Sequence, residues 1–154
     1  MGTLKYQIDI KASAEKVYRS MLGLDDIKTY EQWTALFNPT STYEGNWDKG
    51  SKMFFIGIGE NGERGGMISE VTENIAGKFV SIRHYGLLKG DQEITTGEEV
   101  EKWAGGTENY TYEETNEVTA VTVELTGLDD ENFVMFFNDV YPKALEKLKE
   151  ITEK

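Results

Sequence analysis

The sequence predicts an α+β fold: a curved antiparallel sheet of about six or seven strands wrapped around one long C-terminal α-helix, with two short helices after the first strand. Three observations carry this reading. A strictly alternating segment opens the chain, a series of alternating segments separated by turn residues fills its middle, and one long apolar stripe of helical period closes it. No βαβ rhythm, internal repeat or linker interrupts the order, so residues 1–154 read as one domain.

Each element follows from local pattern. Leu4, Tyr6, Ile8 and Ile10 alternate with Lys5, Gln7, Asp9 and Lys11, a strand with one wet face. Ser13 offers an N-cap oxygen, Val17, Tyr18, Met21 and Leu22 recur at helical spacing, and Gly23 ends the run. A second short helix falls within Asp25 to Phe37, with Ile27, Tyr30, Trp33, Leu36 and Phe37 expected inward and Asn38-Pro39 as its stop. Strands are then expected over 42–47, 52–59, 66–73 and 78–85, with Asn61-Gly62 marking a tight hairpin. In the last of these, Val80, Ile82 and His84 share one face and Phe79, Ser81, Arg83 and Tyr85 the other.

Residues 86–106 are Gly-rich, acidic and without period, and read as a long loop holding one short helix near Glu98 to Trp103. Two clean strands follow, 108–115 and 118–126, joined through Asn116-Glu117. The final helix starts at Asp129 or Asp130, and its acidic start and lysine-rich end suit the helix dipole. Its first half is apolar nearly all round, through Phe133, Val134, Met135, Phe136 and Phe137, which predicts cover on several sides. Pro142 is expected to kink it.

Composition narrows the function. With 16 basic against 28 acidic residues the formal charge is −12, which repels phosphate backbones and anionic membrane surfaces alike. Nucleic acid is not an expected partner. There is no cysteine, hence no thiolate nucleophile, disulfide or cysteine-based metal site. The N-terminus lacks the basic start and apolar run of a secretory signal, and no apolar stretch reaches the roughly 20 residues a membrane span needs, so a cytoplasmic address is expected.

Motifs with a chemical meaning are few. Gly57-Ile58-Gly59-Glu60-Asn61-Gly62 matches a dinucleotide fingerprint in letters only, because a strand rather than a helix N-terminus follows it. His84 is the only histidine, so a two-histidine zinc site is impossible. Facing inward beside Val80 and Ile82, it is either a structural histidine or, in a pocket, an acid/base or a polar anchor for a ligand oxygen. Asp129, Asp130 and Glu131 read as helix capping rather than a cation site, since no EF-hand spacing surrounds them. The sequon Asn109-Tyr110-Thr111 has little meaning without a secretory signal. No cofactor, metal or catalytic residue is assigned.

The aromatic set carries most of the functional signal. Trp33, Phe37, Tyr43, Phe55, Trp103, Tyr110, Tyr112, Phe133, Phe137 and Tyr141 fall on or beside inward faces, with His84 among them. They make either an ordinary core or the walls of an apolar cavity in which a few hydroxyls orient a ligand. The many tyrosines suit a partly wet wall.

The element order and several short motifs resemble the SRPBCC superfamily, the START-like or birch-pollen-allergen-like domains with a helix-grip fold. The cues are Ile8-Asp9-Ile10-Lys11-Ala12-Ser13-Ala14-Glu15-Lys16-Val17-Tyr18, Trp33, Tyr43-Glu44-Gly45, Gly65-Gly66-Met67-Ile68 followed by Glu70-Val71, Trp103 ahead of Glu108-Asn109-Tyr110-Thr111, and Tyr141-Pro142-Lys143-Ala144-Leu145-Glu146-Lys147-Leu148. Within it the chain looks most like homologues of the activator of the heat-shock-protein-ninety ATPase. The resemblance implies a cavity between sheet and long helix that holds a small apolar ligand. That reading is favoured; the alternative is a co-chaperone-like contact module with a solid interior, and a further alternative a cyclase or aromatase needing an acid/base group in the pocket. Arg83 beside Tyr85 on the outer face argues against the last.

Overall fold

The computed structural model describes residues 2–101, 104–128 and 130–154. The chain runs β1 (Gly2–Ile10), α1 (Ala14–Leu22), α2 (Ile27–Thr34), β2 (Thr42–Gly45), β3 (Lys52–Ile58), β4 (Arg64–Ile75), β5 (Phe79–Lys89), β6 (Gln92–Ile94), α3 (Glu98–Glu101), β7 (Thr107–Thr115), β8 (Val118–Leu128) and α4 (Glu131–Glu153). The described strands form one antiparallel sheet of eight in the order β1-β8-β7-β5-β4-β3-β2, with β6 pairing β5 off that path. Sequential hairpins account for most neighbours, and β1 reaches β8 across the chain's full length.

Alternation does the sorting. On β1 the inner residues Leu4, Tyr6, Ile8 and Ile10 face α4, where Tyr6 stacks on Tyr141 at 5.2 Å and its hydroxyl donates to Asn138 Oδ1 at 2.7 Å. At the β7–β8 turn Asn116 and Glu117 both take positive φ (51° and 66°), the conformation a tight primed hairpin requires. Gly66 in β4 has φ 157°, and a Cβ there would lie 1.8 Å from the Phe55 carbonyl oxygen, so only glycine lets β3 and β4 approach this closely.

The end of α1 explains several aromatics. The last carbonyls of a helix lack partners within it. Here Leu24 N–H serves Arg19, Gly23 N–H and the Thr29 hydroxyl serve Ser20, Trp33 Nε1 serves Met21 at 2.8 Å, and Trp47 Nε1 and the Tyr43 hydroxyl serve Leu22 at 3.0 and 2.8 Å. Ser13 caps the start as its sequence position predicts, and Gly23 in the left-handed region caps the end. The second helix is short, ending at Thr34, which leaves Leu36 beyond its C-cap and Ile27 at its first position; both are exposed rather than inward.

Two further sequence expectations need correction. The segment 86–106 is not one loop: β5 continues to Lys89 and turns into β6, so the sheet has an eighth strand, and only then does α3 follow. Helix α4 spans Glu131 to Glu153 with Pro142 inside it, so the carbonyl of exposed Asn138 lacks its helical donor. The first half of α4 is not covered on several sides. Phe133, Met135 and Phe136 stay 44%, 70% and 43% exposed: Phe37 of the segment after α2 packs on Phe136 and Phe137, and a cavity separates this stretch of the helix from the sheet strands that line it.

Candidate functional site

Between the sheet and α4 lies a cavity of about 790 Å³. Its walls come from α2 and the segment after it (Tyr30, Trp33, Phe37), from the strands (Phe55, Met67, Leu87, Leu88, Tyr110, Leu125) and from α4 (Phe133, Phe137, Tyr141). Gly57, Gly59, Gly65, Gly66 and Gly106 also line it and contribute no side chain, so nothing fills the space they border. The cavity reaches the surface between the β3–β4 turn and the start of α4, where Asn61, Glu63, Lys89 and Phe133 line it while exposed.

The aromatic walls form a continuous chain of edge and tilted contacts. Trp33 meets Tyr30, Phe37, Tyr110 and Tyr141 with ring centroids 5.9 to 6.5 Å apart, and Phe37 meets Tyr141 at 4.9 Å. Such pairs add to the burial energy of each ring and hold the wall in shape without filling the space behind it.

One polar cluster interrupts the apolar wall. The period of two on β7 sends Glu108 inward with Tyr110, and antiparallel pairing sets Glu108 opposite Ile82 on β5 and Leu125 on β8. His84 lies two residues beyond Ile82 on the same face. A bulge between Ile68 and Ser69 leaves Tyr85 unmatched and brings Ser69 opposite His84. The resulting hydrogen bonds are closely connected. His84 Nε2 donates to Glu108 Oε1 at 3.1 Å, Ser69 Oγ and His84 Nδ1 are 2.6 Å apart, the Tyr110 hydroxyl donates to Glu108 Oε2 at 2.8 Å, and the Tyr141 hydroxyl donates to the same oxygen. Glu108 as a carboxylate only accepts, so a ring proton sits on His84 Nε2, and Nδ1 pairs with the Ser69 hydroxyl.

Charge follows from that geometry. Burial by itself raises the Glu108 carboxyl; the hydrogen bond and charge of His84, with the hydroxyls of Tyr141 and Tyr110, outweigh it and hold the group below the ordinary carboxylate range. Burial first, then the Glu108 charge, pushes the Tyr110 and Tyr141 phenols well above their usual value, so both stay neutral donors. His84 and Glu108 side chains keep only 14% and 19% exposure, and both line the cavity. Ser69 is fully buried and off the cavity wall, so it orients His84 and does not meet a ligand.

Set against the sequence, Trp33, Phe37, Phe55, His84, Tyr110, Phe133, Phe137 and Tyr141 all line the cavity. Tyr43 and Tyr112 do not: Tyr43 caps α1, and Tyr112 is in solid core with its hydroxyl 3.2 Å from Met21 Sδ. Trp103 and Asp129 lie outside the described residues. Glu108 escaped the sequence reading as one of many carboxylates, although its parity with Tyr110 carried the signal; Ser69 carried none, because its place depends on a bulge.

The topology settles the architecture. The chain has the helix-grip fold. It superposes on the solution structure of an Aha1 dimer from Colwellia psychrerythraea with a TM-score of 0.72 at 23% identity, covering 99% of this chain and 97% of that one. Helix-grip similarity extends to a protein from Mesorhizobium loti (TM-score 0.70, 16% identity, 97% of this chain and 95% of that one) and one from Nitrosomonas europaea (TM-score 0.69, 15% identity, 96% and 92%). No protein-family model matches the chain, and no curated protein matches it in sequence. Among the described residues no helix is long and apolar enough to cross a membrane.

Proposed function

We propose that the protein binds a small, largely apolar molecule in the cavity between sheet and α4, with Trp33, Phe37, Phe55, Tyr110, Phe133, Phe137 and Tyr141 as its walls. The cavity of about 790 Å³ carries this reading. A native interior is packed to near-crystal density, and an empty apolar space of this size forfeits contacts that a ligand restores. Small-molecule sites are of this size and composition, mostly apolar with a few placed polar groups. A contact module with a solid interior is the expectation this volume disfavours.

A native mass spectrum of the freshly purified chain tests it, with an apolar mass released on denaturation as the expected result. A neutral fluorophore such as Nile red should bind the emptied protein with a blue shift and raise its melting temperature by mass action. Replacing Leu125, which lines the cavity, by Trp should abolish both effects. Absence of a co-purified mass together with no Nile red binding overturns the reading.

The exposed start of α4 supports a second role. Phe133, Met135 and Phe136 leave apolar surface exposed around the first turns of α4, Phe133 of them lining the cavity, and one similar structure is a dimer. On this reading a second copy of the chain covers the patch. Light scattering at micromolar concentration should give a dimer mass that Met135→Glu converts to the monomer; a wild-type monomer at all concentrations removes the role.

A further inference from the structure

The polar pole of the cavity has its donors and acceptors in strict imbalance. Both nitrogens of His84 are engaged, Nε2 with Glu108 and Nδ1 with Ser69. The Tyr110 and Tyr141 protons are both spent on Glu108 Oε2. A carboxylate has about four acceptor sites and each phenol oxygen keeps lone pairs after donating. Three donors occupy Glu108, so the positions left unused on Glu108 and on these two phenol oxygens are acceptors.

We infer that the ligand enters head first with a hydrogen-bond donor, an alcohol or amine group on an apolar body, and that anionic heads are refused at this pole. The inference rests on the ligand-cavity reading above and deepens it. An incoming carboxylate or phosphate meets lone pairs and an ionised Glu108 with no free donor in this cluster, in a pocket where unpaired polar groups are costly; the Tyr30 phenol, which also lines the cavity, is hydrogen-bonded to Ser41. An O–H or N–H bonds to Tyr141, Tyr110 or Glu108 and disturbs none of the existing contacts. The aromatic wall beside the pole accommodates an ammonium through ring faces equally well. The cations that line the cavity do not reverse this preference. Arg64 and Lys89 sit at the rim, half-exposed, and are already paired, Arg64 with Glu44 at 2.9 Å and Lys89 with Glu99 at 2.8 Å.

Three probes of one chain length separate the possibilities by calorimetric titration of the full chain, below their aggregation concentrations: dodecan-1-ol, dodecylamine and dodecanoate. The alcohol and the amine are expected to bind, with dodecanoate weaker by about tenfold or more. Whichever of the first two binds more tightly assigns the pole to a hydroxyl or to an ammonium head. Glu108→Gln, whose amide supplies the missing donor, should bring dodecanoate to within about threefold of the alcohol; its melting curve verifies folding, and the wild-type ratio stands without the variant. Dodecanoate matching or exceeding both partners in the wild type overturns the head-group inference and leaves the cavity reading intact. A folded Glu108→Gln that still refuses dodecanoate overturns the role given to Glu108. Binding of none of the three brings down the cavity reading itself.

Discussion

Tyr110 and Tyr112 are neighbours on one face of one strand, yet they belong to different halves of the molecule. Around Tyr112 the space between sheet and α4 is solid: Ile10, Val17, Met21, Val121, Leu145 and Leu148 are all buried there, with α1 packed against α4 and β7. Around Tyr110 it is hollow, and the polar cluster of Glu108 and His84 faces the void. The same strand alternation and the same helix serve both ends. What differs is the filling. At the solid end α1 lies over the sheet and supplies side chains; at the hollow end the strands carry glycines at 57, 65 and 66, and α4 presents rings that stand off the sheet. Stability and binding are thus divided between two ends of one sandwich, and a ligand occupies the end where packing is incomplete.

That division can be broken by truncation. Leu148→Ala, at a fully buried position of the solid end, should cost about 3 kcal/mol or more in chemical denaturation, from lost burial plus a cavity the packing cannot close. Phe137→Ala, on the hollow wall, should cost only about 1 kcal/mol, since the ring is partly unburied already and its loss enlarges an existing space. Equal costs would erase the distinction.

Glu108→Ala should approach the first of these, about 3 kcal/mol, because it strands the His84 N–H and two phenol hydroxyls in the interior. Its contribution has a definite pH signature. The folded-state value lies below the unfolded one near 4.5, so the folded chain binds fewer protons; the stabilisation is complete above that pH and is lost as pH falls through the lower, folded value. Acid denaturation followed by circular dichroism should therefore be shallower in Glu108→Gln. On the alkaline side the sign reverses: burial raises Tyr30, Tyr110, Tyr112 and Tyr141, so stability present below pH 10 is lost above it as the unfolded phenols ionise.

The smallest effects separate the two tyrosines. Tyr110→Phe removes a bond to a carboxylate and should cost about 1 kcal/mol, whereas Tyr112→Phe removes only a weak contact to sulfur and should cost less than about 0.5 kcal/mol by thermal melting. The reverse order would place the polar pole at the wrong end.

Alternation and helical period made most of this legible. The inner faces of β1, β5, β7 and β8, both caps of α1, the Asn116-Glu117 turn and the inward set of the long helix were all readable from spacing, since each depends on residues within a few positions of one another. Residues 90–95 were not readable as a hairpin, for a strand of three residues has no measurable period. The polar cluster was half legible: parity puts His84 and Glu108 inside, but nothing local says that they meet.

By itself the sequence determined which strand faces and which helix stripe turn inward, Ile27 and Leu36 excepted, because a strand offers two faces and a helix a stripe, and apolar content chooses between them. Only the tertiary structure decided which of those inward residues touch one another and which border empty space. That choice rests on strand register, on the bulge that brings Ser69 to His84, and on how far α4 stands from the sheet, quantities set by packing between segments remote in the chain. The same cause left Phe133, Met135 and Phe136 in solvent: a side chain's hydrophobicity is local, and its cover is not.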